Sequence, residues 1–171
     1  MIRLVLAVLV LFSGTVQADD GYRLGAGDRL RVTVFNEPDL SGEFELDGSG
    51  TFPVALIGPV TALDQSPRAL EAKIAGMLAD GWLVSPRVSV EVLSYRPFYI
   101  IGEVNQPGSY PYRAGLTVLN AAALAGGFTY RADEDDIEIS RGDEGARNEF
   151  EAAISTVVLP GDVIRVEERL F

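Results

Sequence analysis

The stretch Gly27-Asp28-Arg29-Leu30-Arg31-Val32 decides how the chain is organised, because a similar pattern recurs near the other end. The second stretch is Gly161-Asp162-Val163-Ile164-Arg165-Val166. In each stretch, polar and apolar residues alternate with a period of two, which is typical of a half-buried strand. Glycine accepts the dihedral angles of a turn, and aspartate can hydrogen-bond the backbone just ahead of it. We interpret the pair as two similar turns that each begin a strand, one in each of two small domains, and not as a true repeat.

The residue patterns of five other segments also predict strands. Alternation or apolar runs bounded by turn residues predict strands at 43–46, 51–54, 87–92, 98–101 and 137–139. Asp47-Gly48 begins a turn that we expect to join the first two of these strands in a hairpin. Pro86 leads into the third strand, and the pattern assigns no structure to 142–156.

Two helices are predicted from their end signals. Ser66 is placed as an N-cap and Pro67 as the first helical residue, and Gly81 suits the position just past the helix end. Thr117 caps a second, short, alanine-rich helix, which Gly126-Gly127 ends. Together with the strands, these helices predict an α+β fold.

The segment GEVNQPGSYPY, from Gly102 to Tyr112, combines turn residues with flanking apolar and aromatic residues. Pro107-Gly108 suits the two central positions of a type II turn, in which the second residue has a positive φ. The segment therefore predicts a β-hairpin in which Gly108 has a positive φ.

The first residues have the pattern of a secretory signal peptide. An apolar run from Leu4 to Phe12 follows Arg3, and it is shorter than the roughly 20 residues of a membrane span. Cleavage between Ala18 and Asp19 is expected, and the mature protein is expected to be exported and soluble. The chain has no cysteine, so we expect neither disulfides nor the lipid-accepting cysteine of a lipoprotein.

Composition excludes several classes of function. The chain has 25 acidic against 14 basic side chains, a net charge of −11, which disfavours nucleic acid as a partner. It has no histidine, which excludes His-dependent catalysis and His-ligated zinc. We interpret the acidic run 133–136 as a solvated turn in preference to a Ca²⁺ site, and the glycines at 25 and 27 are too few for a dinucleotide motif. No cofactor and no metal are therefore predicted.

The order of these motifs resembles the bacterial polysaccharide export family. The N-terminal half is similar to a polysaccharide export domain, and the C-terminal half to one soluble-ligand-binding β-grasp (SLBB) domain. The positions that carry the resemblance are Gly27, Asp28, Asp47, Gly48 and Pro86 in the first half and Gly102, Pro107, Gly108, Gly126, Gly127, Gly161 and Asp162 in the second. The expected domains are a signal peptide at 1–18, an export domain at 19–95 and an SLBB β-grasp domain at 96–171.

The resemblance implies a non-enzymatic subunit of a conduit that exports capsular polysaccharide or exopolysaccharide. It also implies a homo-oligomeric ring and contact with an inner-membrane co-polymerase. Because we see neither a lipidated cysteine nor a C-terminal amphipathic helix, we expect a separate outer-membrane channel as a further partner. The alternative is a periplasmic carbohydrate-binding protein, or a carbohydrate-active enzyme that uses paired carboxylates.

Overall fold

The computed structural model describes residues 22–142 and 147–169. The predicted signal peptide and its cleavage position between Ala18 and Asp19 lie outside these residues. No helix in the described part of the chain is long and apolar enough to span a bilayer.

The first half of the described chain contains five strands and one α-helix. They are β1 (Arg29–Val34), β2 (Gly42–Glu45), β3 (Thr51–Val54), β4 (Gly58–Thr61), α1 (Pro67–Ala79) and β5 (Val88–Ser94). β1 is the central strand of an antiparallel sheet with the order β2-β1-β5, and β3 and β4 form a separate hairpin. The predicted strands at 29–34 and 87–92 are confirmed.

Helix α1 covers the inner face of this sheet. The Ser66 side chain accepts a hydrogen bond from the N–H of Ala69, and Gly81 has a φ of +87° beyond the helix end, as its end signals predict. Leu70 and Ile74 recur at helical spacing and are fully buried with Leu30 of β1. These residues belong to the first of two hydrophobic cores.

The second half of the described chain forms a five-stranded sheet with one short helix. Its elements are β6 (Phe98–Gly102), β7 (Gly108–Tyr110), α2 (Val118–Leu124), β8 (Ala132–Arg141), β9 (Asn148–Glu151) and β10 (Val163–Glu168). The strand order is β7-β6-β10-β8-β9, in which β6 and β10 are parallel and the other pairs antiparallel. A helix packed on such a sheet is the β-grasp arrangement, so the fold is α+β as expected.

Helix α2 lies close to its sheet because its buried face is made of small residues. Ala121 and Ala122 are buried in the second core against strand residues such as Ile137 and Ile164. Thr117 forms a capping box with Asn120, which confirms the predicted start of this helix.

The predicted hairpin between strands 43–46 and 51–54 is wrong. The turn itself forms, since the Asp47 carboxylate accepts the N–H groups of Ser49 at 2.8 Å and Thr51 at 2.9 Å. The two strands nevertheless pair elsewhere: β2 joins the edge of β1 and β3 pairs with β4. Alternation identifies a strand, but it does not identify the neighbouring strand.

The acidic run 133–136 is not a turn. It lies within β8, which begins at Ala132 and pairs with β10 as far as Glu168. Exposure of the three residues 134–136 lets their carboxylates stay in water while the backbone remains extended.

The predicted positive φ at Gly108 is also wrong. The hairpin between β6 and β7 forms, but Gly108 is the first residue of β7 and is not among the residues with positive φ. The positive φ, +85°, occurs at Gly102, where the chain leaves β6. The following loop reaches the end of α2, where Asn105 donates its backbone N–H to Gly127 and Gln106 donates its own to Ala125. The loop between β6 and β7 is therefore held by these contacts with the end of α2, and not by a type II turn.

Candidate ligand-binding cleft between the two cores

The two Gly-Asp stretches form the same turn in three dimensions. Gly27 has a φ of +86° and Gly161 one of +84°. The N–H of Asp28 bonds to the carbonyl of Gly25, and the N–H of Asp162 bonds to that of Leu159, each at 3.2 Å. In both turns the carboxylate accepts the N–H three residues earlier, so the expectation that it bonds to the backbone ahead is wrong.

Asp28 is fully buried and has four donors around it. Its carboxylate accepts the backbone N–H of Gly25 and that of Arg96, each at 2.8 Å. It also accepts the Tyr22 hydroxyl, and the Arg96 guanidinium lies 3.4 Å away. A buried carboxylate needs such partners, because removing an ion from water without them is costly.

Asp162 is the corresponding carboxylate of the second core and is 1% exposed. Arg141 binds it in bidentate fashion, through Nε at 2.9 Å and Nη2 at 2.8 Å. The N–H of Leu159 adds a third bond at 2.7 Å, and Arg141 also donates to the Val157 carbonyl. Bidentate guanidinium pairs are among the strongest charged contacts in proteins.

Arg96 joins the two turns. Its guanidinium lies so close to Gly25 that a Cβ there would overlap it, and its Nε would be 2.6 Å from a Cβ at Gly161. The neighbouring Tyr95 packs edge-on against Tyr22 of the first half and Tyr112 of the second, with ring centroids 4.8 Å and 5.3 Å apart. The contacts on both sides of residues 95 and 96 hold the two cores together.

A cleft of about 260 Å³ opens at this junction. Its walls come from both cores and from the connection between them. The lining residues are Tyr22, Arg23, Leu24, Asp64, Arg96, Arg141, Gly142, Leu159 and Pro160. Apolar walls with a few polar groups are typical of ligand-binding clefts, although this one is slightly smaller than most.

The Tyr22 hydroxyl is held in its neutral form. Burial, and then its hydrogen bond to the negative charge of Asp28, raise the pKa of Tyr22 well above its ordinary value. Burial, followed by the charges of Tyr95 and Asp162, raises the pKa of Tyr112 in the same direction.

Alkaline unfolding of the Tyr22→Phe variant tests this environment. Because the folded-state pKa is raised, the contribution of Tyr22 is complete below pH 10 and declines above it, where the unfolded tyrosine ionises. The wild type should therefore lose stability relative to the variant by up to about 1.4 kcal/mol per pH unit above pH 10. Urea unfolding between pH 9 and pH 11 measures the difference, and parallel curves for the two proteins would contradict it.

Only some of the residues singled out in the sequence meet at the cleft. Gly27, Asp28, Gly161 and Asp162 lie behind its lining, in contact with Arg96 or Arg141. The others lie apart: Asp47 and Gly48 in the turn after β2, Pro86 before β5, Gly102 at the end of β6, Pro107 and Gly108 at the start of β7, and Gly126 and Gly127 after α2.

Sequence reasoning missed the two arginines that hold the buried carboxylates. Arg96 lies 68 positions from Asp28, and Arg141 lies 21 positions from Asp162. The available signal was the aspartate at the start of each of two half-buried strands, because an aspartate there requires a partner if it is buried.

Comparisons with known proteins agree with this architecture. The model of the family described as "Polysaccharide biosynthesis/export protein" matches residues 16–93, and that of the SLBB domain matches residues 97–149. The two matches follow one another in the predicted order.

Similar curated proteins have names from the same process. The chain is 36% identical over 75% of its length to "Exopolysaccharide production protein ExoF" of Rhizobium meliloti. It is 28% identical over 86% of its length to "EPS I polysaccharide export outer membrane protein EpsA" of Ralstonia nicotianae, and 28% identical over 81% to "Polysialic acid transport protein KpsD" of Escherichia coli. The matched regions span 33%, 48% and 26% of these relatives. The chain belongs to the polysaccharide export family, with an export domain followed by an SLBB domain.

Proposed function

We propose that this protein is a non-enzymatic subunit of a conduit that exports a capsular polysaccharide or exopolysaccharide. The observation that carries the proposal is the succession of an export domain and an SLBB domain over most of the chain, since the first match ends at residue 93 and the second begins at residue 97. The printed names of the relatives, which refer to export, transport and production of polysaccharides, support the same process.

We place the protein in the periplasm, in association with the outer membrane through its partners. The name of the Ralstonia relative, an export outer membrane protein, supports this location. The partners that we propose are the polysaccharide, an inner-membrane co-polymerase and a separate outer-membrane channel. Crosslinking in whole cells tests these protein partners, and recovery of the chain without any membrane protein would count against them.

We also propose that the protein assembles into a homo-oligomeric ring. Large apolar side chains at one end of the export domain support contact with other protein surfaces, because exposed apolar patches commonly mark interfaces. Val84 is 99% exposed, and Phe35 and Trp82 are more than half exposed. Sedimentation velocity over a concentration series should show association, and a single monomeric species at every concentration would contradict it.

Deletion of the gene tests the export function. We expect the deletion strain to synthesise precursor but to display no polymer at its surface, because a step after synthesis is lost. Complementation with the wild-type gene should restore surface polymer, and immunoblots of surface and intracellular polymer measure both results. Normal surface polymer in the deletion strain would exclude an essential role in export.

A further inference from the structure

We propose that the cleft between the two cores binds the carboxylate of a uronic-acid unit in an acidic polysaccharide. This inference rests on the proposed export function and specifies the class of polymer that the protein contacts. It starts from the arginines at the cleft: the lining contains three arginines and one aspartate, and the two further aspartates that pair with Arg96 and Arg141 are buried behind them.

The carboxylates that neutralise two of these arginines are hidden from the cleft. Asp28 and Asp162 are 0% and 1% exposed, whereas the side chains of Arg96 and Arg141 remain 21% and 33% exposed. A ligand entering the cleft can therefore contact the two guanidinium groups directly, whereas the paired carboxylates lie behind them. Arg23 is exposed at the rim and adds a third positive charge.

The arginines retain donors for a ligand. Among the described residues, no hydrogen bond reaches Nη2 of Arg96 or Nη1 of Arg141. A planar guanidinium group matches a carboxylate in geometry and charge. The buried ion pairs fix both side chains in place, so little conformational entropy is lost when a ligand binds.

The rest of the lining favours a sugar over a simple anion. Leu159 provides half-buried apolar surface and Tyr22 an aromatic ring, with the buried Leu24 and Pro160 behind them. Such surfaces suit the C–H face of a pyranose ring, whereas a small inorganic anion would gain nothing from them. A volume of about 260 Å³ suits one sugar unit of a chain that continues into solvent.

Binding of defined oligosaccharides to the full chain tests the proposal. The acidic probe is a trimer of α-1,4-linked galacturonic acid, and the neutral probe is maltotriose, which has the same length and linkage. Isothermal titration calorimetry should show at least about tenfold tighter binding of the acidic trimer, the effect of one charge-assisted contact. Equal binding of the two trimers, or binding of acetate as tight as that of the trimer, would overturn the proposal.

A matched pair of variants locates the binding. Arg23→Gln removes a positive charge at the cleft, and Arg68→Gln removes one from the exposed surface of α1, so both change the net charge equally. We expect Arg23→Gln to weaken binding of the acidic trimer about tenfold and Arg68→Gln to change it less than twofold. Equal weakening by the two variants would show that only overall charge matters.

Chemical-shift mapping on the wild-type chain is independent of any variant. Titration with the acidic trimer should shift the amide signals of residues around the cleft, such as Leu24 and Leu159, more than those of the α1 surface. Shifts confined to another part of the chain would refute the site. Gene deletion tests the export function separately. If the deletion strain loses export but the wild-type chain does not bind the acidic trimer, only the proposed binding site is refuted. If the chain binds the trimer but the deletion strain exports polymer normally, only the export function is refuted.

Discussion

A chain carrying Gly102→Ala should be about 3 to 5 kcal/mol less stable than the wild type. Gly102 ends β6 with a φ of +85°, which an L-residue adopts only at a cost, and a Cβ there would overlap the carbonyl oxygen of Val166. That carbonyl accepts the N–H of Glu103 at 3.0 Å, and Val166 pairs with Gly102 between β10 and β6. The methyl group would therefore separate the two parallel strands at the centre of the sheet.

Urea unfolding followed by circular dichroism measures this effect, and Gly108→Ala is the matched control. Gly108 lies in the same hairpin, but a Cβ there meets nothing closer than the Tyr110 ring at 3.9 Å. The control should change the stability by no more than about 0.5 kcal/mol. Similar losses in the two variants would show that the close approach at Gly102 does not decide the stability of the sheet.

Replacement of Arg141 by methionine should cost about 3 to 5 kcal/mol of stability. Methionine keeps much of the packing of the side chain but leaves Asp162, which is 1% exposed, without its bidentate partner. A buried carboxylate without a counterion is strongly unfavourable, whereas the Leu159 N–H alone supplies one neutral donor.

Two further variants separate this effect from a general loss of arginine. Arg31→Met breaks ion pairs with Glu43 and Glu91 that are exposed and screened by water, so its loss of stability should be much smaller. The double variant that combines Arg141→Met with Asp162→Asn should be more stable than Arg141→Met alone, because it lacks the uncompensated charge. A loss for Arg141→Met no larger than that for Arg31→Met would contradict the role of the buried pair.

Elements whose determinants lie within a few residues could be predicted from the sequence. Helix α1 is one case: Ser66 supplies the cap, Pro67 tolerates the first helical position, and Leu70 and Ile74 fall on one face. Strand β1 is another, because the alternation of its residues directly reproduces its burial pattern. Such patterns depend only on the geometry of the helix or strand itself.

Pairing between distant segments could not be predicted in the same way. The alternating pattern of β2 is compatible with any antiparallel neighbour. In the structure, β2 pairs with β1. The same holds for Gly102: the atom that a Cβ there would overlap belongs to Val166 of β10, which is distant in the sequence.

The sequence by itself determined the α+β class, the start of both helices and the two Gly-Asp turns that begin β1 and β10. The tertiary structure alone decided that both turns pack against Arg96 beside one cleft, and that Arg141 pairs with Asp162. The physical reason is that a local pattern specifies which residues must be buried, whereas the partner of a buried charge is chosen by how distant segments pack. Arg96 and Asp28 are 68 positions apart, so no local pattern could have paired them.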